Sequence, residues 1–219
     1  MDETLPSVLR DSRMFMYPFM YYAFKGKNVK RMMDFKSYAD QLSDAEFSKI
    51  YNELKSIGND RATDLNKACI KRILKATKGE KKKMLEVGCG RGFLAKKLIE
   101  QGHDVSGCDV LTDLKIEGLQ YKTAQAESLP YADKSFDIVI CTHTLEHVRK
   151  LDKAIAELKR VGKEKLIIVV PKQRAYKYTL DLHLHFFLQR HYLTDRIGLP
   201  NFVCDNLNGD WYYEANLLV

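Results

Sequence analysis

The 219-residue chain is long enough to bury a substantial core around one catalytic-size α/β domain with an N-terminal extension, and it is short for a two-domain enzyme. Its 45% hydrophobic and 30% charged residues exclude a disordered or fibrous chain, so the fold must come from patterning. The formal net charge of +7 is compatible with an anionic partner such as RNA, a phospholipid surface or a phosphorylated substrate, yet no RNA-recognition signature accompanies it, and its cluster from Lys71 to Lys83 reads as a helix end and linker displayed to solvent.

Residues 14–24, MFMYPFMYYAF, form the most apolar stretch. It falls well short of the ~20 residues that span a bilayer. Lys25 and Lys27 follow where a signal peptide would need small residues, so neither a signal peptide nor a transmembrane helix is expected. Aromatics and methionines followed by Lys25, Lys27, Lys30 and Arg31 give residues 14–33 the composition of a lid over an apolar acceptor, of a peripheral membrane contact, or of core packing against a sheet. Residues 1–80 as a whole read as a helical extension. Ser43-Asp-Ala-Glu46 is a capping box, with a helix running to about Ser56. Asn59 or Asp60 offers the next N-cap, and Leu65, Ala68, Cys69, Ile73 and Leu74 supply a helical stripe expected to pack on the following sheet.

From Lys83 the pattern becomes short apolar runs ending in glycine or aspartate, alternating with helical stretches, which predicts βα units and a mostly parallel sheet. Strands are expected near 83–87, 104–109, 120–123, 136–141 and 165–170, with helices near 91–101 and 151–162. Only residues 111–118 remain for a helix between the second and third strands, a turn or two at most. Asn208-Gly209 suits a type I′ turn between 202–207 and 211–219, so an antiparallel hairpin should close one sheet edge. The five cysteines lack C-x-x-C spacing, as expected of reduced thiols in a cytoplasmic protein.

Met84-Leu-Glu-Val87 runs into Gly88-Cys-Gly90-Arg-Gly92 and then a helix, the context of a nucleotide-binding loop. The spacing is G-x-G-x-G, not the G-x-G-x-x-G of a pyrophosphate cradle, and Glu86 places a carboxylate beside it. That carboxylate would repel phosphate and suits a cationic ligand. The chain here resembles the class I S-adenosylmethionine-dependent methyltransferase superfamily, in the type 11-like branch acting mostly on small molecules, over about residues 80–219.

The resemblance implies a Rossmann-like sheet at 81–219 and S-adenosylmethionine as cofactor. It implies that the backbone of Gly88, Cys89 and Gly90 meets the methionine moiety while Glu86 orients the loop. Asp109, 17 residues after Gly92 at the end of the next strand, would hold the ribose hydroxyls, with Val110 against the adenine. Gln125 stands where the family commonly has an aspartate for the adenine amino group, and Ala126 would contribute its N–H. Thr142 would close over the methionine end.

His143, Glu146 and His147 form an H-x-x-E-H string that matches an inverted zinc-protease motif in letters only, because the segment leaves a strand and soon meets Arg149 and Lys150. O-methyltransferases of ubiquinone biosynthesis look similar here and use carboxylate and histidine metal ligands at matching places. His143 replaces a glutamate in that comparison, so no metal is assigned. The segment after the fifth strand, 170–187, is dense in Tyr, His, Arg and Lys and is expected to line the acceptor pocket. His183 or His185 could take a proton from an acceptor hydroxyl, and with His143 and His147 they are the candidate catalytic histidines. The alternation L-H-L-H-F-F could instead mark a strand. The reading is methyl transfer to a small or lipid/saccharide-like acceptor, with oxygen the expected atom. Its rivals are an RNA methyltransferase, a non-catalytic S-adenosylmethionine-binding protein and, third, an NAD-linked oxidoreductase.

Overall fold

A computed structural model describes residues 5–55, 62–110, 115–178 and 180–217. The chain forms two compact units, one of residues 1–60 with 174–184, the other of residues 61–173 with 185–219.

The first unit is helical: α1 (Ser7–Arg10), α2 (Arg13–Ala23), α3 (Val29–Tyr38) and α4 (Asp44–Lys55). Ser12 caps α2, its hydroxyl accepting the Phe15 N–H. The capping box opens α4 as expected: Ser43 N–H donates to Glu46 Oε2 at 2.9 Å and Glu46 N–H to Ser43 Oγ at 3.3 Å. Segment 174–178 has no strand partner, and side chains take over its backbone hydrogen bonding. Arg10 donates to the Tyr178 carbonyl, Lys36 Nζ to that of Tyr176 at 2.6 Å, and Asp11 accepts the Lys177 N–H.

The second unit is a seven-stranded sheet in the order β3-β2-β1-β4-β5-β7-β6. Its strands are β1 (Lys83–Val87), β2 (Asp104–Asp109), β3 (Gln120–Thr123), β4 (Phe136–Thr142), β5 (Gly162–Pro171), β6 (Phe202–Leu207) and β7 (Asp210–Asn216). The first five are parallel; β7 runs antiparallel to both β5 and β6. Asn208 and Gly209 both take positive φ, +53° and +95°, as a type I′ turn demands. Central strands are buried on both faces. Leu85, Val87, Val139, Cys141, Leu166 and Ile168 point into one core with Ala154, Ile155 and Leu158 of α7 (Leu151–Val161). Met84, Ile138, Ile140, Ile167 and Val169 point into the other, with Cys69 and Ile73 of α5 (Lys67–Ala76) and Leu94 and Leu98 of α6 (Phe93–Glu100). A last helix, α8 (Arg190–Ile197), packs Leu193 and Ile197 into the α7 side.

Two expectations change. The predicted caps Asn59 and Asp60 lie outside the described residues, and α5 starts only at Lys67, where Asn66 Oδ1 accepts the Ala68 and Cys69 N–H groups. Leu65 therefore precedes the helix, though it is buried in the same core. Residues 182–187 are irregular, which removes the strand reading of their alternation. Their backbone is used otherwise: His185 N–H donates to the Glu146 carbonyl and Trp211 Nε1 to that of Phe187. All five cysteines are free and buried, and no helix among the described residues is long and apolar enough to cross a membrane.

Candidate functional site

The glycine loop is a tight turn from β1 into α6, with Gly88, Gly90 and Gly92 at φ of +72°, +52° and +72°. The N–H groups of Gly88 and Cys89 share the Cys108 carbonyl, which ties the loop to the end of β2. Two glycines serve different ends. A Cβ on Gly88 would sit 1.9 Å from Thr144 Oγ1, so this glycine admits the loop after β4; a Cβ on Gly90 would meet nothing within 4 Å, leaving open space against the backbone.

Carboxylates frame that space. Asp109 ends β2 and is buried; its Oδ2 accepts the Gly90 N–H at 2.7 Å. Glu86 is buried one strand over, with Oε2 lacking a hydrogen-bond partner among the described residues. Burial pushes its acid up to about 8, the Ala95 N–H partly opposes this, and the Asp109 charge adds to it. A cation bound here would offset the Asp109 charge and favour ionisation of Glu86, so the residues present fit a ligand carrying an ammonium and a sulfonium better than a phosphate. Cys89 packs its sulfur against Gly107, and burial drives its thiol far above the usual range, so it fills space and carries no thiolate.

The other predicted contacts lie on the same side of the sheet's carboxyl ends. Val110 follows β2 directly. Gln125 pairs with Ser128 in an isolated bridge, and Ala126 is buried. Between them and α7 stands Glu127, whose Oε1 accepts the Arg149 N–H at 3.0 Å and the Lys150 N–H at 3.4 Å, just ahead of Leu151. It places a negative charge at a helix N-terminus and ties the 124–130 loop to α7.

Thr142 closes β4, and its carbonyl accepts the Thr144 hydroxyl. His143 follows at φ +46°, uncommon for a residue with a side chain, with its N–H held by the Val169 carbonyl. Its ring lies between two carboxylates, Nδ1 at 3.3 Å from Glu146 Oε1 and Nε2 at 3.3 Å from Asp210 Oδ2. Burial alone would lower its pKa, but hydrogen bonds to Asp210 and Glu146 outweigh burial and raise it to about 10. His143 is thus an imidazolium at neutral pH. Asp210, the first residue of β7, is held by Asn66 Nδ2 at 2.8 Å.

His147 Nε2 lies 3.9 Å from Glu146 Oε1. His185 Nε2 lies 2.8 Å from the Val148 carbonyl; a carbonyl only accepts, so this nitrogen carries hydrogen. His143, His147 and His185 lie around the 142–148 turn; His183 is buried and belongs by chain contacts to the helical unit. Sequence reasoning missed Asp210, Asn66 and Glu127. The aspartate after the Asn-Gly turn was the one local signal for Asp210.

Residues 85–170 match the family model of a methyltransferase domain. A ubiquinone biosynthesis O-methyltransferase of Rickettsia typhi is 35% identical over 91 residues, covering 36% of this chain and 35% of the relative. A protein of the same name from Hahella chejuensis is 36% identical over 93 residues, 37% of this chain and 39% of the relative. The chain spans little more than a third of the length of these curated relatives. Among solved structures, a SAM-dependent methyltransferase from Aquifex aeolicus superposes with a TM-score of 0.58 at 15% identity, covering 76% of this chain and 98% of that one. Another from Methanosarcina mazei gives 0.52 at 18% identity, with 70% and 98% covered. At these identities the likeness is one of fold.

Proposed function

Residues 85–170 belong to the class I S-adenosylmethionine-dependent methyltransferase superfamily, in its type 11 branch, and we propose that the chain transfers the methyl group of S-adenosylmethionine to an oxygen of a small or lipid/saccharide-like acceptor. The observation that carries the reading is the pair of buried carboxylates, Glu86 and Asp109, around the open backbone of Gly90.

Bound S-adenosylmethionine supplies a carbon already activated by its sulfonium, so the protein's work is chiefly alignment in a dry pocket. In this reading Asp109 holds the ribose, the backbone at 88–90 meets the methionine moiety, and Glu86 offsets positive charge. Gln125, Ala126 and Val110 flank the adenine, and Thr142 bounds the methionine end. A hydroxyl acceptor must lose its proton. His143 is already protonated and cannot take it. It serves as a fixed cation beside the transfer site, and the acceptor proton goes to another imidazole, with His147 and His185 the candidates in this unit. Oxygen as the methylated atom is supported by the Rickettsia and Hahella relatives, which are named O-methyltransferases.

The test is to incubate the purified chain with methyl-labelled S-adenosylmethionine and cell extract, then separate lipid, RNA, protein and small molecules. Label in the lipid or small-molecule fraction that survives the mild base which cleaves methyl esters, and is then released as methyl iodide by hot hydriodic acid, supports an ether-forming O-methyltransferase. Label confined to RNA, or no transfer at all, contradicts the proposal.

A further inference from the structure

We propose that α2 and the turn after it form a docking face for the surface of a membrane containing anionic lipid, an interaction that goes beyond methyl transfer and does not depend on it. A helix on a protein surface normally turns one apolar stripe inward and a charged face to water. The helix α2 has its inward stripe in Met16 and Met20, with Phe24 continuing it at the same spacing, all buried. Its opposite face repeats the apolar pattern. Positions i, i+3, i+4, i+7 and i+8 from Met14 are Met14, Tyr17, Pro18, Tyr21 and Tyr22, and all five are exposed, Met14 and Tyr22 each at 87%. No charged residue stands between Arg13 and Lys25 to interrupt this face. The neighbouring α1 adds Val8, 82% exposed.

Charge selects the occupant. Between Asp11 and Asp34 the chain has no acidic residue, while Lys25, Lys27 and Lys30 stand exposed directly after the aromatic helix. Arg13 and Arg31 are engaged by Asp34 and Glu53, so the lysines are what this face offers to an anion. The bond from Gly26 N–H to the Tyr21 carbonyl and the positive φ of Lys25, Gly26 and Asn28 make a compact turn that keeps these cations at the end of the apolar face. A second copy of the chain would set lysines against lysines. A headgroup layer matches both halves: tyrosine rings and a methionine enter its apolar boundary with phenol groups at the wet side, and ammonium groups meet lipid phosphates. An 11-residue helix, about 16 Å long, lies in that plane and does not span it.

The experiment is flotation of the full chain with phosphatidylcholine vesicles and with vesicles in which part of that lipid is replaced by phosphatidylglycerol, at low and high salt. The native chain should float with the anionic vesicles at low salt and weakly with the neutral ones. Two variants with native melting curves separate the contributions. M14D/Y22D and K25E/K27E/K30E should each reduce partitioning at least about tenfold. Failure of the native chain to float with anionic vesicles overturns the proposal, as does undiminished binding by M14D/Y22D, which would reduce the effect to surface charge alone. So does a solution dimer that M14D/Y22D dissociates, since the face then belongs to a second copy.

Discussion

Gly88 and Gly90 share a loop and a positive φ, yet they answer to different neighbours, and single alanines should separate them. Gly88→Ala drives a methyl into Thr144 and adds left-handed strain; it should cost about 3 kcal/mol or more in a urea melt. Gly90→Ala meets open space and should cost only ~1 kcal/mol, while weakening S-adenosylmethionine binding about tenfold or more in a titration. Equal stability losses would mean that the loop relaxes freely and the distinction is wrong. His143 carries a pH signature. Its pKa is raised in the folded chain to about 10 from an unfolded value near 6.5, so its ion-pair contribution is complete below about pH 6.5 and is lost as pH rises through about 10. Urea midpoints of the native chain should therefore fall between about pH 7 and about pH 10, and Asp210→Asn should flatten that fall. A native profile flat over this interval would show that His143 is not held as a cation. The places of Glu86, Gly90 and Asp109 in the fold were legible in the sequence because they are local: a strand, a turn and a strand end. Asp210 was not, because its partners His143 and Asn66 stand 67 and 144 positions away and meet it only through the sheet.

At the scale of elements, β7 does more than close an edge. It lies between β5 and β6, buries Tyr212 in one core and Tyr213 in the other, and brings Asp210 opposite Pro171 at the carboxyl end of β5. Its hairpin could be read from Asn208-Gly209; its place inside the sheet could not, because strand order is set by pairing rather than by local spacing. The start of α5 was misplaced for the same kind of reason. Asn66 caps the helix with Oδ1 while its Nδ2 reaches Leu207 and Asp210, a tertiary anchor that apolar periodicity does not report. A further element-scale link is Glu127 at the head of α7. Glu127→Ala removes an acceptor from two N–H groups and a favourable charge at the helix N-terminus, and should lower stability by about 1–2 kcal/mol. If Glu127→Ala and native chains melt alike, water has replaced the carboxylate and the loop is not tied through it.

For the whole molecule, the part that matches the methyltransferase family model is the part that would handle the cofactor, residues 85–170. The helical unit and the segment after β5 lie outside that span, so the sequence pointed to the cofactor and left the acceptor to experiment. Because a ligand that binds only the folded chain stabilises it, S-adenosylmethionine at about a hundred times its dissociation constant should add ~2.7 kcal/mol, a rise of roughly 5–10 °C in melting temperature. The most direct test of the account is calorimetric titration of S-adenosylmethionine into the native chain and into Asp109→Ala. It predicts saturable binding at one site by the native chain and affinity weaker by at least about thirtyfold in the variant. No binding by the native chain, or native affinity in Asp109→Ala, would contradict the assignment of this cradle.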